Sequence, residues 1–204
     1  MKYGIFELML AAVIISFVGF AIENTWLMFT KGYMDNRNMT LPFLLGYGVL
    51  MVFFYLLFGT PSELRFENPE NRFTSGEIYF VLAFLTVSAG EILLGMLTEK
   101  YIGIVYWNYS WIPLHLTKYT SLPTSLGFAS IIELFMTYCF PPIMNAISIL
   151  PESLLPPVAI ILFSALCTDT VHSFWKMYTN HDLYCRWKLN MPRNGLANIL
   201  QTGQ

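Results

Sequence analysis

Charge is what this chain has least of. Asp, Glu, Lys and Arg make up 12% of its 204 residues, against roughly 25% in a typical soluble domain, so a surface wetted on all sides is hard to build from it. The formal net charge is −2, and no basic excess argues for nucleic acid. Cysteine is scarce as well. Cys139, Cys167 and Cys185 stand far apart with no Cys-x-x-Cys between them, which reads as inert thiols and leaves the redox compartment open. There is no Gly-x-x-x-x-Gly-Lys-Ser/Thr loop, so the chain hydrolyses no nucleotide by that route. Gly-x-Ser-x-Gly elbows, His-Glu-x-x-His pairs, solenoid-type repeats and low-complexity segments are also missing.

What the chain does have is long apolar runs. Hydrophobic residues reach 55% and aromatics 17%, the latter suited to anchoring at two lipid–water interfaces. A bilayer core of about 30 Å needs roughly 20 apolar residues per helix. Five stretches qualify: Leu8 to Phe29, Leu41 to Thr60, Ile78 to Thr98, Ser121 to Leu150 and Ser153 to Trp175. They must be helices, because lipid offers no partner to backbone N–H and C=O groups, and barrel strands would be shorter and would alternate in polarity. Pro141-Pro142 is expected to kink or end the fourth. The reading is an all-α polytopic bundle, with one transmembrane domain over 1–178 and a polar tail over 179–204. A loose small-x-small site at Gly19-Phe20-Ala21 follows a weak basic leader, Lys2 with Glu7 soon after, so cleavage of the first span as a signal peptide is the less favoured alternative.

The connections differ. Thr30 to Thr40 is short and polar, and Pro61 to Glu77 is the most hydrophilic stretch. Glu99 to Tyr119 holds Tyr101, Tyr106, Trp107, Tyr109 and Trp111 and reads as an interfacial or re-entrant loop. Lys31, Arg37, Lys100, Lys118, Lys176, Arg186, Lys188 and Arg193 fall on one side of the bilayer. Only Lys2, Arg65 and Arg72 fall on the other, which favours a C-terminus inside. The triplets Asn38-Met39-Thr40 and Asn108-Tyr109-Ser110 match the glycosylation pattern but would then lie inside, where that modification cannot occur.

The charges within the spans carry most of the functional information. A carboxylate at the centre of a spanning helix costs about 2.5–3.5 kcal/mol on insertion scales and is expected to face the bundle interior. Ala12, Ser16, Gly19 and Glu23 share one face of the first helix, small enough for a neighbour to approach. Ser88, Glu91, Gly95 and Thr98 form a similar stripe in the third helix. Ser130, Glu133 and Thr137 do so in the fourth, and Ala165, Thr168, Asp169, His172 and Lys176 in the fifth. A common polar site lined by Glu23, Glu91, Asp169 and His172 is one reading; acids that only fix helix packing is the other. Asp169 and His172 are a feasible two-ligand pair for zinc, manganese or iron. No second imidazole accompanies them in the spans, so a local hydrogen bond between the two is the simpler expectation, and metal content stays open. No cofactor is expected.

An ordered set of these residues resembles a known family. It comprises Phe17-Val18-Gly19-Phe20-Ala21-Ile22-Glu23, Gly32-Tyr33-Met34-Asp35-Asn36-Arg37-Asn38, Leu41-Pro42 and Gly46-Tyr47-Gly48, then Glu91, Glu99-Lys100, Tyr106-Trp107-Asn108-Tyr109-Ser110, Pro113 and Asp169. Over roughly 10–175 this is similar to the ABC-transporter type IV family, the bacterial CmpB-like membrane proteins. Eukaryotic transmembrane protein 229 looks like a distant relative. The chain departs from the family pattern in having Asn38 where glycine is usual, Asn108 where aspartate is usual, and Lys118 as the nearest match to an arginine. A role needing an acid at 108 or a guanidinium at 118 is therefore weakened. The resemblance implies a permease-like transport component in a bacterial cell membrane, with an ATPase or other membrane subunit as partner besides the lipid bilayer. It adds Asn36, Arg37, Glu99, Trp107, Asn108 and Tyr109 to the candidate substrate- or ion-binding residues, and it suggests Arg37 near Glu99 or a lipid phosphate. Two further functions stand beside this one: an intramembrane enzyme using the carboxylates and His172 on a lipid-borne substrate, with enzyme activity the less favoured expectation, and a structural or regulatory membrane partner. Homo-oligomerisation is compatible with all three.

Overall fold

The computed structural model describes residues 2–64 and 74–190. Arg65, Arg72 and Arg193, used above for orientation, lie outside the described residues. Among the described residues, five helices are long and apolar enough to cross a membrane. They are α1 (Ile5–Lys31), α2 (Leu45–Phe58, continued by a 3-10 turn at Pro61–Glu63), α3 (Ser75–Ile102), α4 (Leu122–Ile147) and α5 (Leu155–Asn180). Two short antiparallel pairs complete the fold: β1 (Tyr33–Asp35) with β4 (Lys188–Asn190), and β2 (His115–Thr117) with β3 (Thr120–Ser121).

Local chemistry sets the helix ends. Thr74 caps α3 reciprocally with Glu77, satisfying two otherwise orphaned N–H groups. Gly32 and Gly103 close α1 and α3 in the left-handed region, at φ 73° and 79°, where glycine carries no Cβ penalty. The proline pair at 141–142 does not end α4. A wide π-turn at Phe135–Cys139 comes first, and the helix resumes at Phe140 with the prolines in its first turn. There their missing N–H groups and fixed φ are tolerated.

α1 is the central helix, packed against α2, α5 and the last part of α4, while α3 packs chiefly against α4. The small stripe on α1 receives α2. A Cβ on Gly48 would collide with the Ala12 carbonyl, and one on Gly19 with the Tyr47 ring, so the two helices meet closely there. Leu8, Ala11, Ile15, Phe54, Tyr79, Ala83, Ile132, Met136 and Phe140 fill the core between helices. Ile22, Trp26, Phe29, Leu85, Leu93, Leu94, Ile161 and Val171 point outward and are about half or more exposed. An apolar belt of that extent belongs in hydrocarbon.

The α1–α2 loop, the α3–α4 loop and the tail all lie on one face of the bundle. The tail is tied down there. Asn36, 2% exposed, donates through Nδ2 to the Met39 and Tyr184 carbonyls, and its Oδ1 accepts the Arg186 N–H. The α3–α4 loop turns back into the bundle: Thr120 reaches Glu91, about 16 Å below the end of α3 at 1.5 Å per residue. Its re-entry explains why the segment is aromatic yet too short to span.

Candidate functional site

The small face of α1 ends at Glu23. This residue lies about 27 Å along the helix from Ile5 at 1.5 Å per residue, in the half of the span nearer the loop-rich face. Gly19, one turn earlier, leaves room for the Tyr47 ring, whose hydroxyl donates to Glu23 Oε1 at 2.7 Å. The other carboxylate oxygen takes Arg37, from Nε at 2.6 Å and from Nη2 at 2.5 Å. Arg37 is held in this pose by a turn in which it and Asn38 adopt positive φ. Asp35 accepts the Arg37 backbone N–H at 2.8 Å and stands 3.7 Å from its Nη1. Burial opposes the guanidinium charge, but Glu23 first and Asp35 after it outweigh that and hold Arg37 above its ordinary value.

Glu91 on α3 is held differently. Thr120, fully buried, donates to Oε2 at 2.6 Å, and Ser125 lies 3.5 Å from the same oxygen. These hydroxyls flank the start of α4, whose N-terminal N–H groups favour negative charge. The Tyr109 hydroxyl is directed at the same carboxylate. Burial pushes the Tyr109 phenol up, and the charges of Glu91 and then Glu23 push it further. One phenol thus feels both acids, Glu91 more than Glu23. Above them Tyr106 stacks on Phe174 with centroids 5.9 Å apart and meets the edge of Trp107. Trp107 Nε1 donates to the Tyr119 carbonyl at 2.9 Å. Burial also raises Tyr106, which lies beside Asn38. Tyr106 thus adjoins the Glu23–Arg37–Asp35 group, and Tyr109 stands between that group's field and Glu91.

Other candidates fall elsewhere. Asp169 accepts the Leu41 backbone N–H at 3.0 Å, anchoring the α1–α2 loop to α5. The expected Asp169–His172 hydrogen bond does not form among the described residues. His172 is exposed on the outer face of α5, beside Cys167, Val171 and Trp175, because α5 turns Asp169 and Ser173 inward and leaves His172 on the far side. Arg37 does not meet Glu99. That acid is taken by Lys118 Nζ at 2.6 Å and by the Tyr119 hydroxyl at 2.6 Å, while Glu23 is nearer to Arg37 in the folded chain. Glu133 bonds Thr137 in its own helix and faces Gly76 and Phe80 near the start of α3, so the fourth stripe does not join the others. Asn36 is consumed by the tail, and Asn108 is exposed and caps Ser110. The site partners that the charge pattern missed are Tyr47, Asp35, Tyr106, Thr120 and Ser125. The first three sit inside the motifs already quoted; nothing in the sequence singles out Thr120 or Ser125.

Five apolar helices, an apolar outer belt and a charged cluster beneath re-entrant aromatics define a polytopic integral membrane protein. The chain belongs to the family described as "Putative ABC-transporter type IV", whose model matches residues 10–174. That stretch contains Glu23, Glu91, both loops and Asp169, and stops short of β4. No curated protein and no solved structure matches the chain significantly, and kinship with transmembrane protein 229 remains a resemblance only.

Proposed function

We propose that this chain is a permease-like component of a membrane transport system, and that its solute site is the cluster of Glu23, Arg37, Glu91 and Tyr109. What supports this reading is that two carboxylates within spanning helices, from α1 and α3, both act on one phenol, Tyr109, of the loop that folds back against the bundle. Charged groups at such depth are costly, and irregular backbone there is stable only when buried in protein or lining a cavity. The family supplies the expectation that a separate subunit hydrolyses nucleotide. The test is uptake into proteoliposomes bearing the chain and any co-purifying ATPase subunit, with ATP. The vesicles are bathed in a whole-cell metabolite extract and their contents read by mass spectrometry. Wild-type vesicles are expected to accumulate at least one solute that Glu23→Gln and Glu91→Gln vesicles do not; identical contents across all three overturn the reading.

A second reading has one specific observation in its favour. Both oxygens of Glu23 are already satisfied by Arg37 and Tyr47, as a purely packing role requires. In that case Glu23→Gln lowers stability and leaves uptake untouched. The intramembrane-enzyme reading loses its imidazole from the cluster, since His172 faces outward.

A further inference from the structure

The two acids of the proposed site differ in who holds them, and that difference assigns them different work. Glu23 is gripped by Arg37, a group that only donates hydrogen bonds and keeps its charge in proteins. Both Glu23 oxygens are taken, Oε2 by that guanidinium and Oε1 by the Tyr47 hydroxyl. Among the described residues, no cation pairs with Glu91. Its partners are hydroxyls: Thr120 at 2.6 Å, Ser125 beyond it at 2.9 Å from Thr120, and Tyr109. A hydroxyl both donates and accepts, and either oxygen of the Thr120–Ser125 contact can be the donor. With Glu91 ionised, Thr120 donates to its Oε2. With Glu91 protonated, that O–H donates to Thr120 Oγ1, and the Thr120 hydrogen turns to Ser125 Oγ. Both forms are hydrogen-bonded without moving a heavy atom. Thr120 and Ser125 are at most 1% exposed, so these two links are shielded from bulk water.

We propose that Glu91 is a proton-binding site whose occupancy sets the charge of the solute cluster. This rests on the permease reading for its purpose but not for its chemistry. The proton is taken from or released to water on the loop-rich face; no bond other than O–H is made or broken. The groups facing Glu91 are Thr120 and Ser125 at the start of α4 and Tyr109 from the re-entrant loop. Glu23, Arg37 and Tyr47 lie across Tyr109, and Glu99 with Lys118 and Tyr119 two turns further along α3. Among these, Arg37 and Lys118 are already committed to Glu23 and Glu99, so neither of the two neighbouring cations among the described residues pairs with Glu91.

The experiment is infrared difference spectroscopy of the full chain in lipid nanodiscs, titrated with pH and read at the carboxylic-acid C=O stretch. A pH-dependent acid band is expected in the wild type, retained in Glu23→Gln and lost in Glu91→Gln. Thr120→Val keeps Glu91 but removes the acceptor, and is expected to move the band to higher frequency. This variant keeps the proposal testable should Glu91→Gln fail to insert. A wild type without such a band, a band that survives Glu91→Gln, or one that Thr120→Val leaves unmoved overturns the proposal. If the band behaves as expected while uptake is unchanged in both acid variants, the proton site stands and the permease reading falls.

Discussion

Two places in this bundle are built to one plan. In α1, Gly19 makes room for the Tyr47 ring, whose hydroxyl bonds Glu23 one turn later, and Arg37 from the following loop completes the grip. In α3, Gly95 makes room for the Tyr119 ring, whose hydroxyl bonds Glu99 one turn later, and Lys118 from the following loop completes that one. The first pair leaves 27% and 26% of its side chains exposed, the second 39% and 34%. The first also has the Tyr106 and Tyr109 phenols beside it; the second is the more open of the two. A glycine, a tyrosine and an ion pair are therefore a general device for burying a glutamate at the end of a spanning helix. On the proposed function, the surroundings of the device separate a solute site at Glu23 from a plain packing pair at Glu99.

The comparison breaks first on function. Glu23→Gln is expected to abolish uptake into proteoliposomes while Glu99→Gln leaves most of it; equal loss from both would erase the distinction. Stability comes next. Arg37→Gln strands Glu23 and is expected to cost about 2–3 kcal/mol, somewhat below the 3–5 of a fully buried pair because about a quarter of each side chain is exposed. The Glu23→Gln, Arg37→Gln double variant should recover part of that loss, read from unfolding midpoints in detergent. The glycines sharpen the contrast further. Gly19→Leu must displace the Tyr47 ring from the α1–α2 contact and is expected to cost about 1–3 kcal/mol. Gly95→Leu displaces only Tyr119 against the loop and is expected to cost less.

The smallest effect belongs to Lys118→Gln, as an outer pair screened by solvent and salt contributes little. Its pH dependence still separates the two devices. The hydrogen bond to Glu99, first among the causes, raises Lys118 above its ordinary 10.5. A group raised on folding contributes fully below its unfolded value and loses that contribution as pH climbs through the folded one. Any difference between Lys118→Gln and wild type should thus vanish in strongly alkaline buffer, while the deficit of Arg37→Gln persists there, since Glu23 and Asp35 outweigh burial and raise Arg37 further above its already high ordinary value. Melting curves at neutral and alkaline pH check both.

Much of the fold could be read from the chain alone. All five helices fall where the apolar runs predict, with ends shifted by a few residues through caps such as Thr74 and Gly103. The small stripe on α1 does admit α2, and the aromatic segment after α3 does turn back into the bundle. The site was legible only in part. Glu23, Glu91, Arg37 and Tyr109 were on the candidate roll and come together, but Asp169, His172, Asn36 and Asn108 were there too and take other places. Helical spacing says which residues share a face. It does not say which way that face turns in the bundle, and α5 shows the cost: Asp169 and His172 are one turn apart, yet one ties down a loop and the other looks outward.

The sequence by itself determined that this protein lives in a bilayer, how many times its helices can cross, and which helix faces are small or polar. Those are properties of local runs, fixed by hydropathy and by the need of every backbone group for a partner in lipid. Only the tertiary structure decided that Arg37 belongs to Glu23, that Lys118 belongs to Glu99, and that the described partners of Glu91 are hydroxyls. Such partnerships join residues from different helices and loops, and short-range chemistry cannot choose among them until packing has brought the candidates within reach.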